Sequence, residues 1–158
     1  MRSKQRHADI IMLLVMAAAA STVLAGGDTR DIDKHRSCNF CGMDRKAYGY
    51  SRMLIQYENG AEVGTCSLHC AVTELDSNKD RAVKALFAAD RDDRMLLPAE
   101  SAVWVMGGSK RGVMTQRPKW AFRSKATAEV FIAEHGGKIV LWADVLAAAR
   151  EDLARELK

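Results

Sequence analysis

The stretch RMLIQYENGAEVGTCSLHCAVTEL, residues 52–75, carries the unit from which the rest of the fold follows. Arg52 to Tyr57 and Glu62 to Thr65 are β-leaning runs, and the Asn59-Gly60 pair between them supplies the positive φ angles of a tight turn, so a hairpin is predicted. Ser67 can then cap a helix whose apolar residues Leu68, Ala71, Val72 and Leu75 follow helical spacing, ending in the polar stretch Asp76 to Asp80. Val83 to Ala89 is a further strand candidate, although its alanines also suit a helix.

Outward from that unit the same order returns. Ala102 to Met106 reads as a strand ending at Gly107-Gly108, and a polar loop, Ser109 to Lys119, leads to a short strand around Trp120-Ala121-Phe122. Ser124 caps a helix with Ala128, Phe131 and Ile132 on one face, stopped by Gly136-Gly137. Ile139 to Trp142 reads as an apolar strand, and Asp144 as the cap of a last helix with Val145, Leu146, Ala149 and Leu153. The predicted class is therefore α+β: two small ββαβ units related by an internal repeat of order, followed by a C-terminal helix. The expected units are residues 38–92 and 93–158, with the link between them near Arg91 to Glu100.

Upstream, Arg2, Lys4 and Arg6 precede an apolar run from Ile10 to Ala20 and a small-residue site at Val23-Leu24-Ala25, the order of a secretory signal peptide over residues 1–25. The run is shorter than the roughly 20 residues of a spanning helix, so the expectation is export to the periplasm, cleavage after Ala25 and no stable membrane insertion afterwards; an uncleaved anchor is the alternative. Gly26 to Ser37 is charged and nearly without apolar residues, which predicts a flexible linker. Cleavage leaves 21 Lys and Arg against 19 Asp and Glu. With no single-signed run and no basic-aromatic interleaving, nothing points to nucleic acid.

The four cysteines fall in two close pairs, Cys38 with Cys41 in Cys38-Asn39-Phe40-Cys41-Gly42-Met43, and Cys66 with Cys70 in Cys66-Ser67-Leu68-His69-Cys70. A C-x-x-C turn can present both sulfurs to one metal ion, and Gly42 allows a sharp bend that leaves the Met43 thioether free to join them. Thiolate and thioether are soft donors, which select Cu(I) over cations that prefer oxygen. If Cys66 opens the helix, Cys66, His69 and Cys70 lie near one face of its first turn and become candidate co-ligands, with the helix N-terminus favouring thiolate. Structural zinc is the commonest occupant of such spacing inside cells, whereas in an exported protein two disulfides are the competing reading. A c-type haem site is excluded because Gly42 stands where the histidine of C-x-x-C-H would be. Among the other methionines, Met53, Met95 and Met106 read as packing, while Met114 lies in a polar loop with little packing reason to be there.

Cys38-x-x-Cys41-Gly42-Met43, Cys66-Ser67-x-x-Cys70, Val105-x-Gly107-Gly108-Ser109 with Gly112-x-Met114, and Phe131 to Gly137, in this order and spacing, resemble the NosL family of nitrous oxide reductase accessory proteins. The resemblance covers nearly the whole mature chain. It implies two ββαβ units, a fold related to organomercurial lyase, and a non-enzymatic periplasmic Cu(I) chaperone delivering copper to a cuproenzyme such as nitrous oxide reductase or to a copper-transfer protein. It also implies that Cys41, Met43 and Met114 match the family's Cys-x-Met and loop methionine positions; Cys38, Cys66, Cys70 and His69 remain further candidate ligands from their spacing alone. Family members are usually lipoproteins whose leader ends Leu-Ala-Gly-Cys; Leu24-Ala25-Gly26-Gly27 offers no cysteine to acylate, so lipid anchoring is not expected. Cys38, Cys66 and Cys70 are absent from the simplest members. The competing function is a disulfide-bonded structural or thiol-redox adaptor without copper. An enzymatic reading, with paired cysteines cleaving carbon-metal bonds, rests on analogy of fold alone.

Overall fold

The computed structural model describes residues 29–156, so the expected signal peptide lies outside the described residues. A short helix, α1 (Arg30–Lys34), leads through the first cysteine pair to β1 (Met53–Tyr57), β2 (Glu62–Thr65), α2 (Leu68–Ser77), β3 (Val83–Ala89) and β4 (Leu96–Pro98). Then come β5 (Val103–Met106), β6 (Lys119–Phe122), α3 (Lys125–His135), β7 (Lys138–Val140) and the long α4 (Trp142–Glu156). The first sheet has the order β2-β1-β3-β4 and the second β6-β5-β7, with every neighbouring pair antiparallel. In each unit the first strand is central, flanked by its hairpin partner and by the strand that follows the helix. The repeated ββαβ order is therefore a repeat of topology as well, closed by a C-terminal helix.

Several expectations shift in detail. Of the Asn59-Gly60 pair only Gly60 takes a positive φ, at 83°; Asn59 instead uses its side-chain oxygen to accept the Ala61 N–H. Ser67 occupies the N-cap position of α2 but its hydroxyl makes no capping bond, whereas Ser124 accepts from Thr127 N in α3 and Gly136, at φ 74°, ends that helix. The apolar run at 139–142 is not a buried strand. β7 is an edge strand with Ile139 exposed, Leu141 beyond its end is exposed too, and α4 starts at Trp142, two residues ahead of Asp144. Alanine-rich β3 is a strand because it completes the hydrogen bonding of β1 from Met53 to Tyr57.

The two units share one core. Met53, Ile55 and Tyr57 of β1 and Ala71 and Val72 of α2 pack with Trp104 of β5, Ala121 of β6 and Val145 and Ala149 of α4. Trp104 stacks on Trp142 at 5.2 Å between ring centroids and donates its indole N–H to Ala99 O at 2.8 Å. α4 thus reaches back over α2, with Arg150 Nε 3.2 Å from Asp76 Oδ1. β4, in the stretch expected to link the units, adds a fourth strand to the first sheet.

Asp90, buried beyond the end of β3, joins the sheets. Its Oδ1 accepts the Asp92 and Asp93 N–H groups at 2.7 and 3.2 Å, and its Oδ2 accepts the Arg123 N–H at 2.6 Å, beside the bridge to Ala121. Hydrogen bonds to a charged group each contribute about 1.5–3 kcal/mol, not additively. Asp90→Ala should therefore cost about 2–4 kcal/mol, read as a lowered urea midpoint with an unchanged slope. A midpoint unchanged within error would show the joint to be dispensable.

Candidate metal centre

The described part of the expected flexible linker, residues 29–37, is anchored. Asp31 and Ile32 of α1 are buried, because Asp31 sits between two guanidiniums that are themselves fully enclosed. Arg45 Nη2 lies 2.7 Å from Asp31 Oδ2, and Arg52 places Nε 2.9 Å from Oδ2 and Nη2 2.9 Å from Oδ1. Arg45 directs its remaining donors to backbone carbonyls of Asp31, His35, Met53 and Thr65. Arg52 Nη1 donates to Gly49 O and Arg94 O. Burial works to raise the Asp31 pKa, but Arg52 and Arg45 outweigh it and hold the carboxyl below its ordinary value. Gly64 admits the Arg45 side chain: a Cβ there would lie 2.6 Å from Arg45 Cζ and from His35 Cβ.

Arg45 thereby pins the first cysteine loop. Its N–H bonds Arg36 O, Ser37 bridges Asp44, Cys38 N donates to Met43 O at 2.8 Å, and Gly42 N donates to Cys38 O at 2.9 Å. The turn closes at Gly42 with φ 76°, as the need for a sharp bend predicts. Asn39 N donates to Gly64 O at 2.9 Å, which lays this loop on β2, immediately before Cys66.

The result is a sulfur cluster. Ligand atoms of Cys38, Cys41, Cys66 and Cys70 all lie within 4.8 Å of one another, and none of the four is joined in a disulfide. Cys66 is the hub: its Sγ is 3.5 Å from Cys41 Sγ, 3.7 Å from Cys70 Sγ, 3.9 Å from Met43 Sδ and 3.8 Å from Ser67 Oγ. Cys38, Cys66 and Cys70 are buried, Cys41 and Met43 are partly open, and Tyr48 and Val113 pack around them.

Sequence spacing thus anticipates Cys38, Cys41, Cys66, Cys70 and Met43 as neighbours. His69 is buried at the start of α2 with Nδ1 3.7 Å from Glu156 Oε2 and without a hydrogen bond. Met114 is 40 % exposed with a left-handed φ of 55°, and the adjoining Val113 packs on the cysteines. Its loop is tied to α4 by Arg117, whose Nη2 reaches Asp152 Oδ1 at 2.8 Å and Ala148 O at 2.7 Å. Sequence reading missed Asp31, Arg45 and Arg52. Their charge marks them as surface residues, and only Arg52, abutting an apolar strand, carried a hint otherwise.

The thiols are unequal. Hydrogen bonding from the Cys70 thiol, helped by Cys41, Ser67 and Cys38 and opposed by burial, brings the Cys66 pKa down to about 5. The same bond pushes Cys70 up, and burial, opposed by the Met43 backbone N–H, pushes Cys41 up to about 11. Cys66 is thus a thiolate solvated by its neighbours' S–H groups. Relative to a free thiol near 9.0, the Cys66 thiolate contributes stability that is full above about pH 9 and is lost as pH falls through about 5. Cys41 works oppositely: its contribution is full below about pH 9 and lost as pH rises through about 11. In the reduced, metal-free protein, thiolate ultraviolet absorbance should show a first step of about one thiolate near pH 5, absent in Cys66→Ser. A wild-type protein with no thiolate below pH 7 would contradict this.

Fold and site together define a small two-sheet α+β protein with a four-thiol cluster where a turn meets a helix start. The family model named NosL matches residues 29–149, and the chain belongs to the NosL family. Among solved structures, the crystal structure of the copper chaperone NosL from Shewanella denitrificans is similar, with a TM-score of 0.54 and 23 % identity, over 70 % of this chain and 89 % of that one. No curated protein matches the chain.

Proposed function

We propose that this protein is a non-catalytic Cu(I) chaperone that acts in the periplasm and passes copper to a cuproenzyme such as nitrous oxide reductase. The observation that carries the reading is the convergence of four thiols and the Met43 thioether around Cys66 in a member of the NosL family. An all-sulfur donor set suits a soft monovalent cation. Cys41, Met43 and Cys66 would hold the cargo, because Cys41 and Met43 form its partly open side. Cys38 and Cys70 close the buried side. Met114, exposed beside Val113, and His69 would serve as exchange ligands during transfer. The similar protein from Shewanella denitrificans is a copper chaperone, which supports this assignment. No helix among the described residues is long and apolar enough to cross a membrane.

Transfer itself is testable. Copper-loaded protein should activate a copper-depleted client when the two are mixed in the presence of a Cu(I) chelator that intercepts free ion. Activation that vanishes once chelator is present would show release into solution rather than delivery.

A further inference from the structure

We infer that the four cysteines provide a second coordination mode, a tetrahedral tetrathiolate site for a divalent d10 cation of the zinc and cadmium class, so that such ions compete with the copper cargo for this protein. The competition rests on the copper reading above; the divalent site stands without it.

Geometry carries the first part. A regular tetrahedron with metal-sulfur bonds of about 2.3 Å has sulfur-sulfur edges of roughly 3.8 Å. Here Cys66 lies 3.5 Å from Cys41 and 3.7 Å from Cys70, and no pair among the four ligand atoms exceeds 4.8 Å. The two printed edges at Cys66 match that tetrahedron within 0.3 Å, and closing the wider pairs onto one ion needs a contraction of no more than about 1 Å. Two local features favour that arrangement over a chance cluster: the turn Cys38 to Met43 is closed by two backbone hydrogen bonds, and Gly42 takes the positive φ that folds both sulfurs to one side.

Charge separates the two modes. Cys38, Cys66 and Cys70 are buried, where each uncompensated anion is costly. Four thiolates around a monovalent ion leave a net charge of three negative, whereas a divalent ion leaves two. Full deprotonation of all four cysteines therefore belongs to a divalent ion. A cuprous ion is served by fewer thiolates together with neutral Met43. The two modes differ in a testable way, since Cys70 is needed by the divalent ion and Met43 by copper.

Reduced, metal-free protein is titrated with Co2+ as an optical probe and then with Zn2+. One equivalent of Co2+ should give intense sulfur-to-cobalt charge transfer with the visible bands of a tetrahedral ion, all abolished by one equivalent of Zn2+. Met43→Leu should leave that spectrum unchanged while weakening Cu(I) retention in a chelator competition, and Cys70→Ser should weaken Zn2+ retention at least tenfold. Cadmium NMR of the unsubstituted protein should report four sulfur ligands, which needs no variant to fold. A six-coordinate cobalt spectrum without charge transfer, or a cadmium shift of fewer than four sulfurs, would overturn the inference. Normal cobalt and cadmium results with no Cu(I) retention would instead sink the copper reading alone.

Discussion

Asp31→Asn is expected to destabilise the protein by about 3–5 kcal/mol, the cost of leaving a buried ion pair with one partner removed. The substitution keeps the size of the side chain and removes only its charge, so two guanidiniums that are fully enclosed lose the Asp31 carboxylate they share. Domains of this size have a total stability of about 5–15 kcal/mol, and the change takes a large part of it. The consequence reaches the sulfur cluster, because Arg45 ties α1, β1, the end of β2 and the loop after Met43 into one body. A urea midpoint should fall steeply and metal binding should weaken with it. A loss under about 1 kcal/mol would mean that the arginines are satisfied by their carbonyl partners alone.

Cys66→Ser is expected to reduce Cu(I) affinity more than about 100-fold, beyond the 10–100-fold that loss of an outer-shell partner produces. Cys66 lies within 3.9 Å of Cys41, Cys70 and Met43 sulfurs, so its removal takes the shared neighbour from the set. Its lowered pKa, about 5, also lessens the cost of deprotonation on loading. His69→Ala should cost about tenfold or less, since that side chain faces Glu156 across 3.7 Å. Equal losses for the two variants would remove Cys66 from the centre of the site.

Much of this arrangement is legible in the chain itself. Hairpin, helix and strand patterns at 52–89 and 102–140 follow side-chain periodicity, which local sequence encodes directly. The cysteine pairs follow from spacing within each motif, and their meeting follows from β2 running straight into Cys66 while Asn39 lies on Gly64. What the sequence hid depends on long-range partners. Asp31 looks like any linker acid until two arginines more than ten residues away enclose it, and Ile139 looks like core until β7 proves to be an edge. Met114 illustrates a finer limit: the polar loop that made it a candidate ligand does reach the cluster, through its neighbour Val113, a contact that local sequence does not encode.

The most direct measurement is a Cu(I) titration of the reduced protein against a chelator of known affinity, run beside Cys41→Ser and Cys66→Ser. The protein should withdraw Cu(I) from the chelator, and both variants should lose that ability while keeping the wild-type circular dichroism. Retention by the variants equal to that of the wild type, or a wild type that withdraws no copper, would contradict a sulfur-bound copper cargo at this cluster.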